Sequence, residues 1–253
     1  MIRGLYTLGS GMLAAQTQSE VIADNIANLR TTGYKEEFST LLAFPTLPIQ
    51  RNQLIASTIP ESVRIGNMGT GVMVDRITKI GDQGSLQETG EKTDIALAGQ
   101  GFFVVQTPNG ERYTRNGQFQ IREGVLQTAE GYPVLGQNGA VQLNGSPFII
   151  DGDGRIVEDG DPGRVQQLRF VTIEPDLLQR EGQSLYTSPG QPAQEMIPGT
   201  VQVQQGFLEG SNVDLAGQMV KMIKIMRVYE ANQRLIQTED ATLDKAVNEI
   251  GKI

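Results

Sequence analysis

Apolar residues recur at alternating steps of three and four at both ends of the chain, the spacing that keeps a stripe on one side of an α-helix. At the start the stripe runs Leu5, Leu8, Met12, Ala15, Ser19, Ile22, Ile26 and Leu29. It should end near Thr31, Thr32 and Gly33, where β-branched side chains meet a residue free to take positive φ. At the other end it runs Met219, Met222, Met226, Tyr229, Gln233, Ile236, Asp240, Leu243, Val247 and Ile250. A second stripe, Val220, Ile223, Val228, Leu235 and Ala246, widens this face beyond a two-stranded seam. Ser211 with Asp214 three residues on is a capping-box-like pair, so the helix is expected to begin at Ser211. Both helices carry more apolar surface than a partnerless helix. The periodicity leaves two arrangements open: a helical hairpin that closes one monomeric domain, or packing against helices of other chains.

Between the helices the pattern changes twice. Pro45 and Pro48 deny a regular helix or a central strand, and Pro60, Gly66, Gly69 and Gly71 continue the irregularity, so residues 36–70 read as an extended linker. From Val72 onward come short runs with strand character. These are Val72 to Ile80, Ile95 to Ala98, Phe102 to Gln106, Glu111 to Thr114, Phe119 to Ile121, Val125 to Thr128, Pro133 to Leu135, Phe148 to Ile150, Gln167 to Ile173 and Val201 to Phe207. Asn-Gly pairs at 109–110, 116–117, 138–139 and 144–145, and Asp-Gly pairs at 151–152, 153–154 and 159–160, favour tight hairpins. The expected fold is α+β. Residues 1–35 and 206–253 supply terminal helices forming a coiled-coil-like domain around an inserted all-β domain of irregular hairpins at 71–205.

Composition narrows the chemistry. Of 253 residues 38% are hydrophobic and 30 are glycine, a mixture that suits many short strands and turns. A net charge of -8 repels a phosphate backbone, so no nucleic-acid partner is expected. Cysteine, histidine and tryptophan are all absent, which removes thiol nucleophiles, disulfides, Cys/His zinc sites and the commonest general base. Gly4, Thr7, Gly9, Ser10 and Gln16 interrupt any signal-peptide block, and no apolar run approaches the roughly twenty residues of a membrane span. No membrane insertion is expected, and departure from the cytoplasm would proceed without a cleaved signal peptide.

The individual motifs carry no catalysis. Gly99-Gln100-Gly101 is followed by Phe102-Phe103-Val104-Val105, a strand where a dinucleotide site needs a helix, so the glycines read as a tight turn or bulge. Asp151-Gly152-Asp153-Gly154-Arg155 starts like a calcium loop but puts Arg155 at a ligand position and Ile156 where glycine is required, leaving a hairpin turn. Asp82, Glu88 and Glu91 read as solvated charges, Tyr113 to Asn116 as strand and turn, and the helical methionines as adaptable packing residues. No catalytic residue, cofactor or metal site is expected. A monomeric β-rich enzyme or ligand-binding protein closed by a helical hairpin is the competing reading.

Three blocks, in order, resemble the flagellar axial proteins that build the rod and hook of the bacterial flagellum. The first is Gly4-Leu5-Tyr6-Thr7 through Gly11-Met12, with Asp24-Asn25-Ile26-Ala27-Asn28 and Thr32-Gly33-Tyr34-Lys35. The second is Asp94-Ile95-Ala96-Leu97, Gly99-Gln100-Gly101-Phe102-Phe103 and Tyr113-Thr114-Arg115-Asn116-Gly117. The third is Gly206-Phe207-Leu208-Glu209-Gly210-Ser211-Asn212-Val213, Met219-Val220-Lys221-Met222-Ile223 and Arg227-Val228-Tyr229-Glu230. The resemblance implies a structural subunit whose terminal helices pack with those of neighbours into the inner tube of a helical assembly. Leu5, Leu8, Met12, Ile22, Ile26, Leu29, Met219, Met222, Met226, Tyr229, Ile236 and Leu243 would then form the assembly interface. Asn25, Asn28, Gly33, Tyr34, Gly99, Gly101, Phe102, Ser211, Asn212 and Val213 are the motif residues that carry the match. It also implies export by the flagellar type III apparatus and a place in the basal body, among copies of itself and other axial proteins. A length of 253 residues favours a rod protein over the longer hook protein. The Leu208 to Val213 block leans to the proximal-rod type and Met219 to Glu230 to the distal-rod type.

Overall fold

In the computed structural model, which describes residues 2–55, 59–158, 165–182, 184–190, 193–197 and 199–250, the run Phe102-Phe103-Val104-Val105 lies in the strand Phe102–Thr107. Successive side chains of a strand point to opposite faces, so an unbroken apolar run needs cover on both. Phe103 and Val105 enter a core with Ile95, Leu126, Val134, Leu143, Ile156 and Leu168. Phe102 and Val104 enter a second, smaller one with Val171, Leu178 and Tyr186. Aromatic rings meet edge to face in each, Phe103 with Phe119 at 5.1 Å and Phe102 with Tyr186 at 5.7 Å between centroids.

That strand is central to a six-stranded sheet in the order Gln179–Glu181, Leu185–Thr187, Gly110–Thr114, Phe102–Thr107, Phe170–Thr172, Gln194–Glu195, in which neighbouring strands pair antiparallel. Smaller antiparallel pairings surround it, among them Ile95–Ala98 with Gln202–Gln205 and Leu86–Glu88 with Phe207–Glu209. Together they form a compact β-rich unit of Asn25–Glu37 and Thr78–Leu215. Only some Asn-Gly and Asp-Gly pairs make hairpins. Asn109-Gly110 and Asn138-Gly139 close them, with Thr107 opposite Gly110 and Gly136 opposite Gly139, and Asp151 to Gly154 joins Phe148–Ile150 to Arg155–Glu158. Asn116-Gly117 instead ends beside Ile95, whose N–H donates to the Gly117 carbonyl at 3.0 Å. Asp159-Gly160 lies outside the described residues. Strands Arg155–Glu158, Gln179–Glu181, Leu185–Thr187 and Gln194–Glu195 have no counterpart in the sequence reading, because their mixed polar pattern carries too little alternation.

The other unit collects the described residues of Met1–Asp24, Phe38–Ile77 and Ala216–Ile253. Helix α1 spans Ile2–Ala27 and helix α2 Leu215–Lys245, followed by a π-helical turn, Ala246–Ile250. The helices run antiparallel: Gly4 faces Glu239, Gly11 faces Asn232, and the Ser19 hydroxyl lies 3.3 Å from Met222 Sδ. A Cβ on Gly11 would come within 3.0 Å of Asn232 Nδ2, so the glycine admits the polar side chain. Strands β1 (Glu37–Ala43), β2 (Leu47–Ile55), β3 (Ile59–Met68) and β4 (Val72–Lys79) occupy the stretch expected to be mostly extended linker. β1 pairs with β4, and β2 with β3 from Leu47 opposite Met68 to Ile55 opposite Ile59. Pro48 is tolerated because a two-stranded ribbon leaves one edge of each strand unpaired.

Both helices are shorter than the periodicity suggests. α1 ends at Ala27, and Leu29, expected on its seam, sits in the following turn with its N–H donating to Ile26 at 3.3 Å. α2 begins at Leu215 rather than Ser211, which leaves Asp214 at the position a capping residue takes.

Substituting Gly117 by alanine should disrupt the β-rich unit, because the added Cβ would fall 1.6 Å from the Ile95 carbonyl oxygen. Urea unfolding followed by circular dichroism is expected to show a loss of at least about 3 kcal/mol.

Candidate functional site

Glu209 ends the strand Phe207–Glu209 and is 1% exposed. Pairing with Leu86–Glu88 fixes its backbone, and its carbonyl accepts the Gly33 N–H at 2.8 Å. Its carboxylate accepts from Lys35 Nζ at 2.7 Å, from Arg115 Nε at 2.5 Å and from the Gly84 N–H at 3.1 Å. Lys35, Arg115 and Glu209 come one from each of the three motif blocks. Arg115 also bonds the carbonyls of Leu97, near the end of the strand Ile95–Ala98, and of Gly99 and Gly101 in the turn after it. Lys35 also donates to the Asp82 carbonyl at 2.8 Å. Burial lowers the Lys35 pKa; Glu209 pulls it back up, and the Arg115 charge lowers it further. Two cations on one carboxylate, away from water, hold only while all three are present.

The motif residues build the frame of this cluster. Asn25, 1% exposed, donates to the Glu37 carbonyl at 2.7 Å, accepts the Glu37 N–H at 2.9 Å, and accepts the Tyr34 hydroxyl at 3.1 Å. Asn28 accepts the Thr31 hydroxyl in the turn after α1. Gly33 has φ of 69°, and a Cβ there would lie 2.5 Å from the Arg115 carbonyl carbon, so both conformation and space demand glycine. Tyr34 is buried with Arg180 stacked on its ring at 5.2 Å. Gly99 and Gly101, at φ of 110° and 141°, form the turn that receives Arg115, and Phe102 leads into the central strand. Asn212 accepts the Glu36 N–H at 2.6 Å and donates to the carbonyls of Ile80 and Asp82. The Ser211 hydroxyl accepts the Val213 N–H, and Val213 is buried. Tyr113 to Asn116, read from the sequence as plain strand and turn, therefore contains the buried Arg115 at the centre of the cluster. The available signal was a charged residue inside each block: Lys35, Arg115 and Glu209.

Of the helical residues, Leu5, Leu8, Met12 and Ile26 are half-buried, as is Leu29 in its turn, and Ile22 is buried. On α2, Gln218 is buried, and Met222, Ile225, Asn232, Ile236, Glu239 and Leu243 are half-buried. This row repeats at three and four like the expected seam and shares Met222, Ile236 and Leu243 with it. Its other members replace Met219 and Met226, which are 53% and 54% exposed; Tyr229 is at the edge. The helix is thus rotated relative to a purely apolar seam, since polar Asn232 and Glu239 settle against Gly11 and Gly4. Val220, Ile223, Val228 and Leu235 are exposed as well.

Three family models match in chain order: Flagella basal body rod protein over residues 5–35, Flagellar hook protein FlgE/F/G D1 domain over 96–218, and Flagellar basal body rod FlgEFG protein C-terminal over 204–249. Similar proteins include the flagellar hook-basal body complex protein FlhO of Bacillus subtilis, 32% identical with 100% of both chains covered. The flagellar basal-body rod protein FlgG of the same organism is 33% identical over 98% of this chain and 99% of its own. FlgF of Rhizobium meliloti is 31% identical over 99% of each. The matched segments contain Lys35, Arg115 and Glu209, and the chain belongs to the flagellar basal-body rod protein family.

Glu209→Gln should cost about 3–5 kcal/mol in urea unfolding, because it strands two buried cations. Burial, partly offset by a hydrogen bond from the Lys35 backbone, pushes the Tyr186 hydroxyl up to about 12 from 10.0. The fold favours the neutral phenol, so this contribution is complete below pH 10 and is lost as pH rises towards 12. Stability should fall there by up to about 1.4 kcal/mol per pH unit more steeply than in Tyr186→Phe, measured by urea midpoints across that range.

Proposed function

We propose that this protein is a structural subunit of the flagellar basal-body rod, assembling through its terminal helices with copies of itself and other axial proteins into a helical tube that transmits torque. The observation that carries the reading is the thin interior of the helical unit. Among its described residues only Ala14, Ala15, Val21, Ile22 and Gln218 are buried, while Tyr6, Leu13, Leu41, Leu42, Met73 and Ile77 are exposed along with the outer face of α2. Apolar surface on that scale favours contact with further chains. A head-to-tail contact that does not close into a ring extends into a filament, which is the growth mode a rod requires. The names of the relatives support a place in the basal body, and this reading puts the protein in the cell envelope outside the inner membrane. Export there would use the flagellar type III apparatus without a cleaved signal peptide. A structural role needs no catalytic centre, and this family is one of structural proteins.

Met226→Asp separates assembly from folding, because Met226 is already exposed. Its unfolding free energy should stay within about 0.5 kcal/mol of wild type. In cells lacking the native chain, the variant should be missing from purified hook-basal bodies and fail to restore swimming, whereas the wild type should be found there by mass spectrometry. Normal incorporation of Met226→Asp would contradict the proposed interface.

A further inference from the structure

Beside the charge cluster the β-rich unit contains a cavity of about 70 Å³ with Lys35, Lys79 and Arg115 in its wall. Among the described residues no carboxylate lines it; the remaining wall includes Gln100, Gly101, Phe102, Thr172 and other neutral residues. The acidic partners stand outside the lining: Glu209 holds Lys35 and Arg115, and Glu37 is 3.3 Å from Lys79. An ammonium has three donors and a guanidinium five. Lys35 directs bonds to the Asp82 carbonyl and Glu209, and Lys79 to the Leu178 carbonyl and Glu37, so each retains a donor beyond these, although the Lys79 ammonium also lies over the Tyr186 ring at 5.9 Å. Three cations converge there on a small space whose walls are otherwise largely uncharged. A neighbouring groove of about 260 Å³ shares Gln100, Thr172, Ile173 and Pro175 with the cavity and also includes Glu174 in its lining.

We propose that this cavity binds one small oxyanion, a phosphate or a carboxylate group, through the ammonium groups of Lys35 and Lys79 with the Arg115 charge behind them. Size admits a single charged centre rather than an extended ligand. Three cations share two carboxylates, Glu209 and Glu37, so the cluster keeps an excess of positive charge that an anion can neutralise, and burial leaves that charge little screened by salt. Burial is what chiefly lowers the Lys35 pKa, and the Arg115 charge adds to it against the opposing pull of Glu209. The site is independent of the helical surface and of the rod assignment.

The test is thermal unfolding of the full chain in sodium phosphate, sodium acetate and sodium chloride at equal ionic strength and pH 7. Phosphate, acetate or both should raise the Tm by about 3 °C over chloride, as expected for a ligand present at several times its Kd. A rise with phosphate alone assigns a tetrahedral anion, and a rise with acetate assigns a carboxylate. Gln100→Glu places a carboxylate at the lining and should abolish the response; being on an exposed turn, it leaves the fold intact. Lys79→Gln should reduce the response, and if it fails to fold, Gln100→Glu decides alone. No rise over chloride with either anion, or an undiminished rise in Gln100→Glu, overturns the proposal.

Discussion

A carboxylate held between two buried cations is the constraint on which the β-rich unit depends. Glu209 receives Lys35 from near the start of the chain and Arg115 from its middle, and it sits close to the point where α2 begins. Such a cluster contributes little net stability, since desolvation offsets most of the attraction. Its effect is on specificity: any register that leaves one charge without its partners is heavily penalised. Strand pairing that is generic in its apolar contacts thereby acquires one arrangement.

The surrounding backbone is shaped to that requirement. Gly33 takes positive φ with no room for a side chain against Arg115, while Gly99 and Gly101 turn their carbonyls to its guanidinium. Asn25 and Asn212 imitate backbone pairing with Glu37 and Glu36, so the segment from 33 to 37 is held from both sides by side chains that act as additional strands. The structure assigns each of these residues a mechanical reason.

The helical unit follows a different logic. Its two helices meet along a seam that includes glycines and polar residues, and much of the apolar surface faces outward. A monomeric domain of this size ordinarily covers such side chains. Here the division is sharp: the β-rich unit has two well-filled cores, and the helical unit keeps its apolar residues available. That contrast is what a subunit needs if one part must be formed before assembly and the other completed by it.

The sequence by itself determined the two terminal helices, most of the central strands, the absence of the commonest catalytic side chains and the family. These follow from periodicity, turn residues and ordered motif blocks, all of which are local along the chain. The tertiary structure decided what is non-local. It brought Lys35, Arg115 and Glu209 together across 174 residues of separation, although each looks like an ordinary surface charge when read alone. It also rotated α2 so that Asn232 and Glu239 face the other helix, because Gly11 and Gly4 open space there that no count of apolar positions registers. And it paired β2 with β3 in a stretch whose prolines argued against regular structure, since a two-stranded ribbon leaves each strand an edge where a missing N–H costs nothing.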